Sequence, residues 1–212
     1  EGLTMKFFDM NCSIGGWPFR SVPRHTAAEV CSDLKALGAV GGAVVNNGAL
    51  LYGDTKEANR ELFEAIAPYR DFFTGVATID PTLPRAGEEL DYCIDVLHFR
   101  ALRLLPLYHN CAVDNPDLLR LAARAGKRGI PLLLPREIAN FRQRHRLEPE
   151  RALTFEAAAA LARAVPETKI IWQDAILPPA MKIPSNLYGE FARGWTSLGN
   201  VLEKLVAKIG QD

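Results

Sequence analysis

Residues 6–20, K-F-F-D-M-N-C-S-I-G-G-W-P-F-R, contain the element around which the rest of the chain is organised. Residues 6–11 are apolar and aromatic until polar groups appear at their end, which predicts a short buried strand followed by a glycine- and proline-containing loop. Asp9 and Asn11 then stand at the carboxyl end of that strand, where parallel α/β proteins carry their sites. The alternative is that both side chains only satisfy backbone groups of the loop.

The rest of the chain alternates between short apolar runs and helical periodicity. Six further strands are predicted at 40–45, 72–79, 101–105, 130–134, 169–172 and 186–191. Helices are predicted at 26–37, 55–68, 84–97, 114–128, 154–165 and 198–209. Such alternation predicts an α/β protein with a parallel sheet. We expect one domain, residues 1–212, with a (β/α) TIM-barrel-like fold rather than an open sheet.

Composition excludes several classes of protein. The 212 residues include 25 Lys+Arg and 25 Asp+Glu. This balance argues against a nucleic-acid or anionic-membrane partner, and no apolar run approaches the length of a membrane span. The four cysteines form no C-x-x-C pair, so free thiols and a cytoplasmic location are expected. No dinucleotide-binding, P-loop or nucleophile-elbow motif follows a predicted strand.

Polar residues at the predicted strand ends form the candidate site. His109 and His145 are the candidate catalytic residues, because a histidine with a near-neutral pKa is the usual general acid or base. Arg103 and Arg136 are candidates to bind a carboxylate or phosphate, whose shape a guanidinium matches. The full set of predicted substrate-binding residues is Asp9, Asn11, Asn46, Arg103, Tyr108, Arg136 and Arg193. Such a set suits a small polar or carboxylate-bearing substrate.

Four pieces of the sequence resemble the amidohydrolase superfamily, in the branch that contains aminocarboxymuconate-semialdehyde decarboxylase. They are F-F-D-M-N-C-S-I-G at 7–15, F-F-T-G-V-A-T-I-D-P at 72–81, F-R-A-L-R-L-L-P-L-Y at 99–108 with A-G-K-R-G-I-P-L-L-L at 125–134, and P-S-N-L-Y-G-E-F at 184–191. The resemblance implies a distorted (β/α)8 barrel, usually with one or two divalent metal ions.

The chain departs from that family's metal-binding pattern. The family's H-x-H at the end of the first strand is replaced by Asp9-Met10-Asn11, and Pro135 follows the fifth strand where a histidine is usual. Asp174 aligns with the histidine after the sixth strand, which makes it a third candidate catalytic residue. Zinc or manganese needs about three protein ligands. We therefore predict no tightly bound metal, and at most a weakly bound divalent cation.

Three functions are compatible with these residues. The first is a divergent amidohydrolase-like hydrolase or non-oxidative decarboxylase. The second is a metal-free small-molecule-binding pseudo-enzyme that retains the barrel, and the third is a subunit whose partner supplies part of the site. In each case a small-molecule ligand is expected.

Two further expectations concern the shape of the barrel. The polar, arginine-rich residues 136–151 follow the fifth predicted strand, where site loops belong, so they are predicted to form a lid. Only seven strands are recognisable, and prolines between the sixth and seventh leave no room for a helix. We therefore expect an incomplete barrel, open between its first and seventh strands. Because an open seam exposes two strand edges, we expect a homodimer to cover it.

Overall fold

A computed structural model describes residues 6–50, 54–140, 142–178 and 180–190, together with residue 207. The strands are β1 (Phe7–Ile14), β2 (Ala39–Asn46), β3 (Phe73–Thr78), β4 (Ala101–Arg103), β5 (Leu132–Pro135), β6 (Ile170–Gln173) and β7 (Leu187–Gly189). The helices that alternate with them are α1 (Ala27–Ala36), α2 (Thr55–Ile66), α3 (Ala86–Asp95), α4 (Pro116–Lys127) and α5 (Phe155–Ala164). The helix predicted at 198–209 lies outside the described residues, apart from residue 207.

All seven strands pair in parallel in the order β1-β2-β3-β4-β5-β6-β7, which confirms the predicted α/β class. The sheet curls into part of a TIM-barrel-like cylinder, with the helices outside it. Parallel pairing places the carboxyl ends of all seven strands at one edge, here called the carboxyl edge. Among the described residues no helix lies between β6 and β7, as the prolines predicted.

Element ends follow local chemistry closely. Thr26 caps α1 and forms a capping box with Glu29, as their three-residue spacing predicted. Strand β1 ends three residues later than expected, because Cys12 and Ile14 turn into the core while Ser13 stays exposed. The polar Asn11 is therefore inside the strand rather than at its end.

Two apolar layers hold the sheet. The larger layer lies between the sheet and its helices and includes Leu62, Leu102 and Leu134. A smaller layer lines the inner face of the curled sheet: Ala43, Val45, Val76, Ala101 and Leu133. The side chains above this inner layer are the ones that face the carboxyl edge.

The seam is the gap between β1 and β7, the two edge strands of the sheet. No pairing joins β1 to β7 among the described residues. The Gln173 side chain on β6 donates from Nε2 to the Met10 carbonyl of β1 at 2.7 Å, so one side chain spans the gap. Below it lies a cavity of about 730 Å³ whose lining includes Met10, Ile171 and Tyr188. The expected homodimer across this seam stays a prediction.

The described part of the chain contains no helix with the length and apolar character needed to cross a bilayer.

Buried Asn59 of α2 fixes the end of β3. Its amide donates to the Thr78 carbonyl at 3.1 Å and to Glu89 at 3.0 Å, and its oxygen accepts from the Thr78 N–H at 3.0 Å. Asn59 is 1% exposed, so no water replaces these bonds when they are lost. This contact fixes Thr78 at the carboxyl end of β3.

We expect Asn59→Ala to lower the free energy of unfolding by about 2–4 kcal/mol, because it leaves buried backbone groups unpaired and a cavity. Urea unfolding followed by circular dichroism measures the change. The matched control is Arg60→Ala, which removes two exposed ion pairs to Glu57 and Glu64. That change should cost less than about 1 kcal/mol. Equal effects of the two variants would contradict this account.

Candidate functional site

Arg103 and Thr78 begin the candidate site at the carboxyl edge. They are register partners on β4 and β3, and both are buried, Arg103 at 5% exposure. The Arg103 Nε and the Thr78 Oγ1 have no hydrogen-bond partner in the described structure. No carboxylate of a described residue lies within ion-pair distance of the guanidinium. Burial lowers the pKa of Arg103 from 12.5 to about 10, so the group stays charged at neutral pH.

His109 lies in the loop after β4 beside this pair. Both ring nitrogens are buried without a hydrogen bond of normal geometry to the described residues, although the Ala49 carbonyl lies near the ring. Burial lowers the pKa of His109, and the nearby Arg103 lowers it further, while Asp80 raises it. The neutral imidazole is therefore favoured. A neutral imidazole in a water-poor site is suited to accept a proton.

Two carboxylates, Asp174 and Glu190, lie at the far end of the strand order, after β6 and β7. The Asp174 backbone N–H donates to the Glu190 side chain at 2.9 Å. Burial raises the pKa of Glu190, and the charges of Asp174 and Asp9 raise it further. Asp174 has φ +52°, a strained conformation for a residue other than glycine. Glu190 can therefore hold a proton at a higher pH than an ordinary glutamate.

Asp9 bonds to the backbone of its own strand and also acts on the carboxylates after β6 and β7. Its Oδ1 accepts the Asn11 N–H at 2.8 Å, a backbone bond like the one given above as the alternative, although it lies within β1 rather than in a loop. The charge of Asp9 nevertheless raises the pKa of Glu190. Asn11 is exposed on the same strand. The structure thus brings Asp9, Asp174 and Glu190 together, whereas Asn11 lies at the surface.

Tyr108 contacts the 136–151 segment across the carboxyl edge. Its hydroxyl donates to the buried Glu148 carboxylate at 3.0 Å. Tyr108 also lies close enough to Arg103 to affect its pKa. The tyrosine therefore joins the β4 side of the site to residues 136–151, whose role as a lid stays a prediction.

Three predicted site residues form contacts with other residues of the chain. The Asn46 amide donates to the Ala58 carbonyl and to Glu61, and its oxygen accepts the Gly48 N–H, so it holds α2 against β2. The exposed His145 ring stacks on Phe19 with centroids 5.5 Å apart. The Arg136 guanidinium pairs with Glu137 at 2.9 Å.

Arg193, also predicted to bind substrate, lies outside the described residues. The substrate-binding roles predicted for Asn46 and Arg136 and the catalytic role predicted for His145 stay predictions, although the structure gives each of these side chains a different partner.

The described residues do not fit a tightly held metal ion. No three His, Cys, Asp or Glu side chains of the described chain are arranged as metal ligands. Asp174 and Glu190 lie together, but a tight zinc or manganese site takes about three protein ligands. The expectation of a weakly bound cation stays a prediction, and no chemical step below depends on it.

Sequence reasoning missed Thr78 and Glu148 as site residues, and it placed Glu190 at a strand end without giving it a role. Thr78 could have been found, because it is the next inward position after Val76 on an alternating strand. Glu190 follows directly after β7, at a position where barrel sites are built. Glu148 lies 40 residues from Tyr108 in a loop, and no sequence periodicity relates the two.

Comparison with solved structures shows the same fold in several decarboxylases. A 2,6-dihydroxybenzoate decarboxylase from Rhizobium is 18% identical, with a TM-score of 0.66, over 97% of this chain and 84% of that one. A dihydroxybenzoic acid decarboxylase from Polaromonas sp. JS666, solved with manganese and 2-nitroresorcinol, is 16% identical, with a TM-score of 0.64, over 97% of this chain and 82% of that one. For a 5-carboxyvanillate decarboxylase from Sphingomonas paucimobilis the values are 16%, 0.63, 84% and 68%.

A search of curated protein sequences gives no match. At identities this low, likeness to the solved structures shows the fold alone. The family model described as Amidohydrolase (Amidohydro_2) matches residues 8–190, which is most of the chain and includes every strand of the sheet except the first residue of β1. The earlier resemblance is confirmed: this chain belongs to the amidohydrolase-2 family.

Proposed function

We propose that this chain binds a small carboxylate-bearing molecule at the carboxyl edge and acts on it as a hydrolase or a non-oxidative decarboxylase. Family membership supports the class of reaction. The names of the solved relatives identify hydroxylated benzoates as substrates of those proteins, and this chain shares their fold. We take an aromatic carboxylate as the first substrate class to test.

The observation that carries the proposal is the buried positive charge of Arg103. A charged group inside a protein is normally paired, because removing it from water costs several kcal/mol. No described carboxylate pairs with Arg103, and Thr78 beside it has an unpartnered hydroxyl. A carboxylate bound here would accept hydrogen bonds from both side chains. These unpartnered groups support an anion site at the end of β4.

His109 and Glu190 are the two groups at the carboxyl edge whose shifted pKa values suit proton transfer. In a decarboxylation the bond between the carbon and the carboxylate breaks, CO2 leaves, and a proton is added to the carbon. Glu190, with its raised pKa, can donate that proton. In a hydrolysis, the neutral His109 can remove a proton from the attacking water. Incubation with 2,6-dihydroxybenzoate followed by chromatography for resorcinol tests turnover directly.

We expect Arg103→Met to abolish carboxylate binding while stabilising the empty protein. Removing an unpaired buried cation should raise the free energy of unfolding by about 2–3 kcal/mol, as the lowered pKa indicates. Thermal melting in sodium benzoate measures binding, because a ligand of the native state raises Tm. At about 100-fold excess over Kd the wild type should gain about 2.7 kcal/mol.

The control is Arg100→Met, at an exposed arginine just before β4. It should keep the benzoate-dependent rise in Tm and leave stability nearly unchanged. Resorcinol, which lacks the carboxylate, should give no shift. If Arg103→Met lost stability and kept the benzoate response, the proposed anion site would be wrong.

We expect His109 to make stability depend on pH in a defined direction. Its folded pKa is below the unfolded value of about 6.5, so the unfolded chain binds more protons near that pH. The free energy of unfolding should therefore fall as pH decreases from 7.5 to 5. His109→Gln should remove part of this slope, measured by urea unfolding at each pH.

His145→Gln is the matched control, since that ring is exposed in the loop. The pH slope of His109→Gln is compared with that of this variant. A His109→Gln variant with an unchanged slope would show that His109 is not held neutral by burial.

A further inference from the structure

Glu148 is a buried carboxylate whose two oxygens hold different segments. Its Oε1 accepts the Tyr108 hydroxyl at 3.0 Å, and its Oε2 accepts the His145 backbone N–H at 2.7 Å. The side chain is 4% exposed, so water does not compete for these bonds. The residue therefore ties residues 142–150, here called the clasp segment, to the loop after β4.

The clasp segment is also attached on the opposite side. The His145 ring stacks on Phe19, in the loop after β1. Arg20, in the same loop, donates to the Gln143 side chain at 3.5 Å, a longer and weaker contact. The segment thus contacts the loops that follow β1 and β4, on two sides of the carboxyl edge.

Tyr108 links this attachment to the anion site. Burial raises the pKa of Tyr108, and the hydrogen bond to Glu148 raises it further, so the phenol keeps its proton and directs it at the glutamate. Tyr108 follows five residues after Arg103, the last residue of β4, and its backbone N–H donates to the Leu105 carbonyl at 3.0 Å, so it lies in the turn directly after that strand. The attachment therefore runs from the strand that ends at Arg103 to Tyr108, then to Glu148 and the clasp segment.

We propose that Glu148 is a positioning residue that holds Tyr108 and the clasp segment against the Arg103 anion site, so that anion binding and closure of the segment stabilise each other. This inference rests on the proposed function for its ligand. A closed segment excludes water, and the attraction between the guanidinium and a carboxylate grows as the local dielectric falls. By linkage, an anion that binds the closed form more tightly favours closure to the same degree.

Trypsin provides a reporter of the open segment. Arg142 and Arg146 lie in the clasp segment and are exposed, so cleavage there requires local opening rather than global unfolding. We expect Glu148→Gln to raise the cleavage rate at these arginines roughly tenfold, as the loss of a hydrogen bond to a charged group implies. Tyr108→Phe removes the same bond from its other end, and should give a similar increase without altering Glu148.

The matched control is Glu150→Gln, which makes the same chemical change two residues away at an exposed side chain. It should leave cleavage at wild-type speed. Cleavage at exposed Arg70, between α2 and β3, reports general unfolding, and should be unchanged in every variant. A residue that only stabilised the fold would change cleavage at both places.

Sodium benzoate completes the test. It should slow cleavage of the clasp segment in the wild type and have no effect in Arg103→Met. Benzoate affinity measured by calorimetry should fall roughly tenfold in Glu148→Gln, although Glu148 is not an anion-binding group.

Unchanged cleavage in both Glu148→Gln and Tyr108→Phe would overturn the positioning role, and so would wild-type benzoate affinity in Glu148→Gln. Failure of the wild type to bind benzoate at all would instead overturn the proposed anion site. In that case the faster cleavage of the two variants would still show the attachment through Glu148.

Discussion

Parallel pairing of seven strands is the constraint on which the rest of the molecule depends. It brings the carboxyl end of every strand to one edge and leaves the opposite ends to the loops that follow the helices. The inner face of the sheet carries a thin layer of small apolar side chains, among them Ala101 and Val76. The next inward positions, Arg103 and Thr78, are therefore buried yet face the carboxyl edge. The site follows from strand register rather than from any single motif.

Burial of Arg103 places stability and function in opposition. An isolated cation above an apolar layer lowers the stability of the empty protein, and a bound carboxylate would recover that loss. The carboxylates after β6 and β7 do not pair with Arg103 and do not act on its pKa. Under the proposed function, Arg103 binds the anion and Glu190 holds the proton. It is a local conflict of the kind that functional sites carry.

The strands, the capping of α1 and the family were predictable because they depend on local patterns: apolar runs, the Thr26–Glu29 spacing and short motifs. Arg103 was predicted as an anion ligand because a guanidinium matches a carboxylate or phosphate, and in the structure it ends β4. Asn46 also ends a strand, but its amide is consumed by α2, a contact that depends on how the helix packs. Glu148 lies in an irregular loop, where no period indicates which way a side chain faces. The position of a residue along a strand could be predicted from the sequence, whereas contacts between loops could not.

The central claim is that a bound carboxylate is the missing partner of Arg103. A crystal structure of the protein with benzoate tests it most directly. The account predicts carboxylate oxygens about 2.7–3.1 Å from the Arg103 guanidinium and within hydrogen-bond reach of the Thr78 hydroxyl. Benzoate bound elsewhere, with Arg103 paired to a carboxylate of the chain itself, would contradict it.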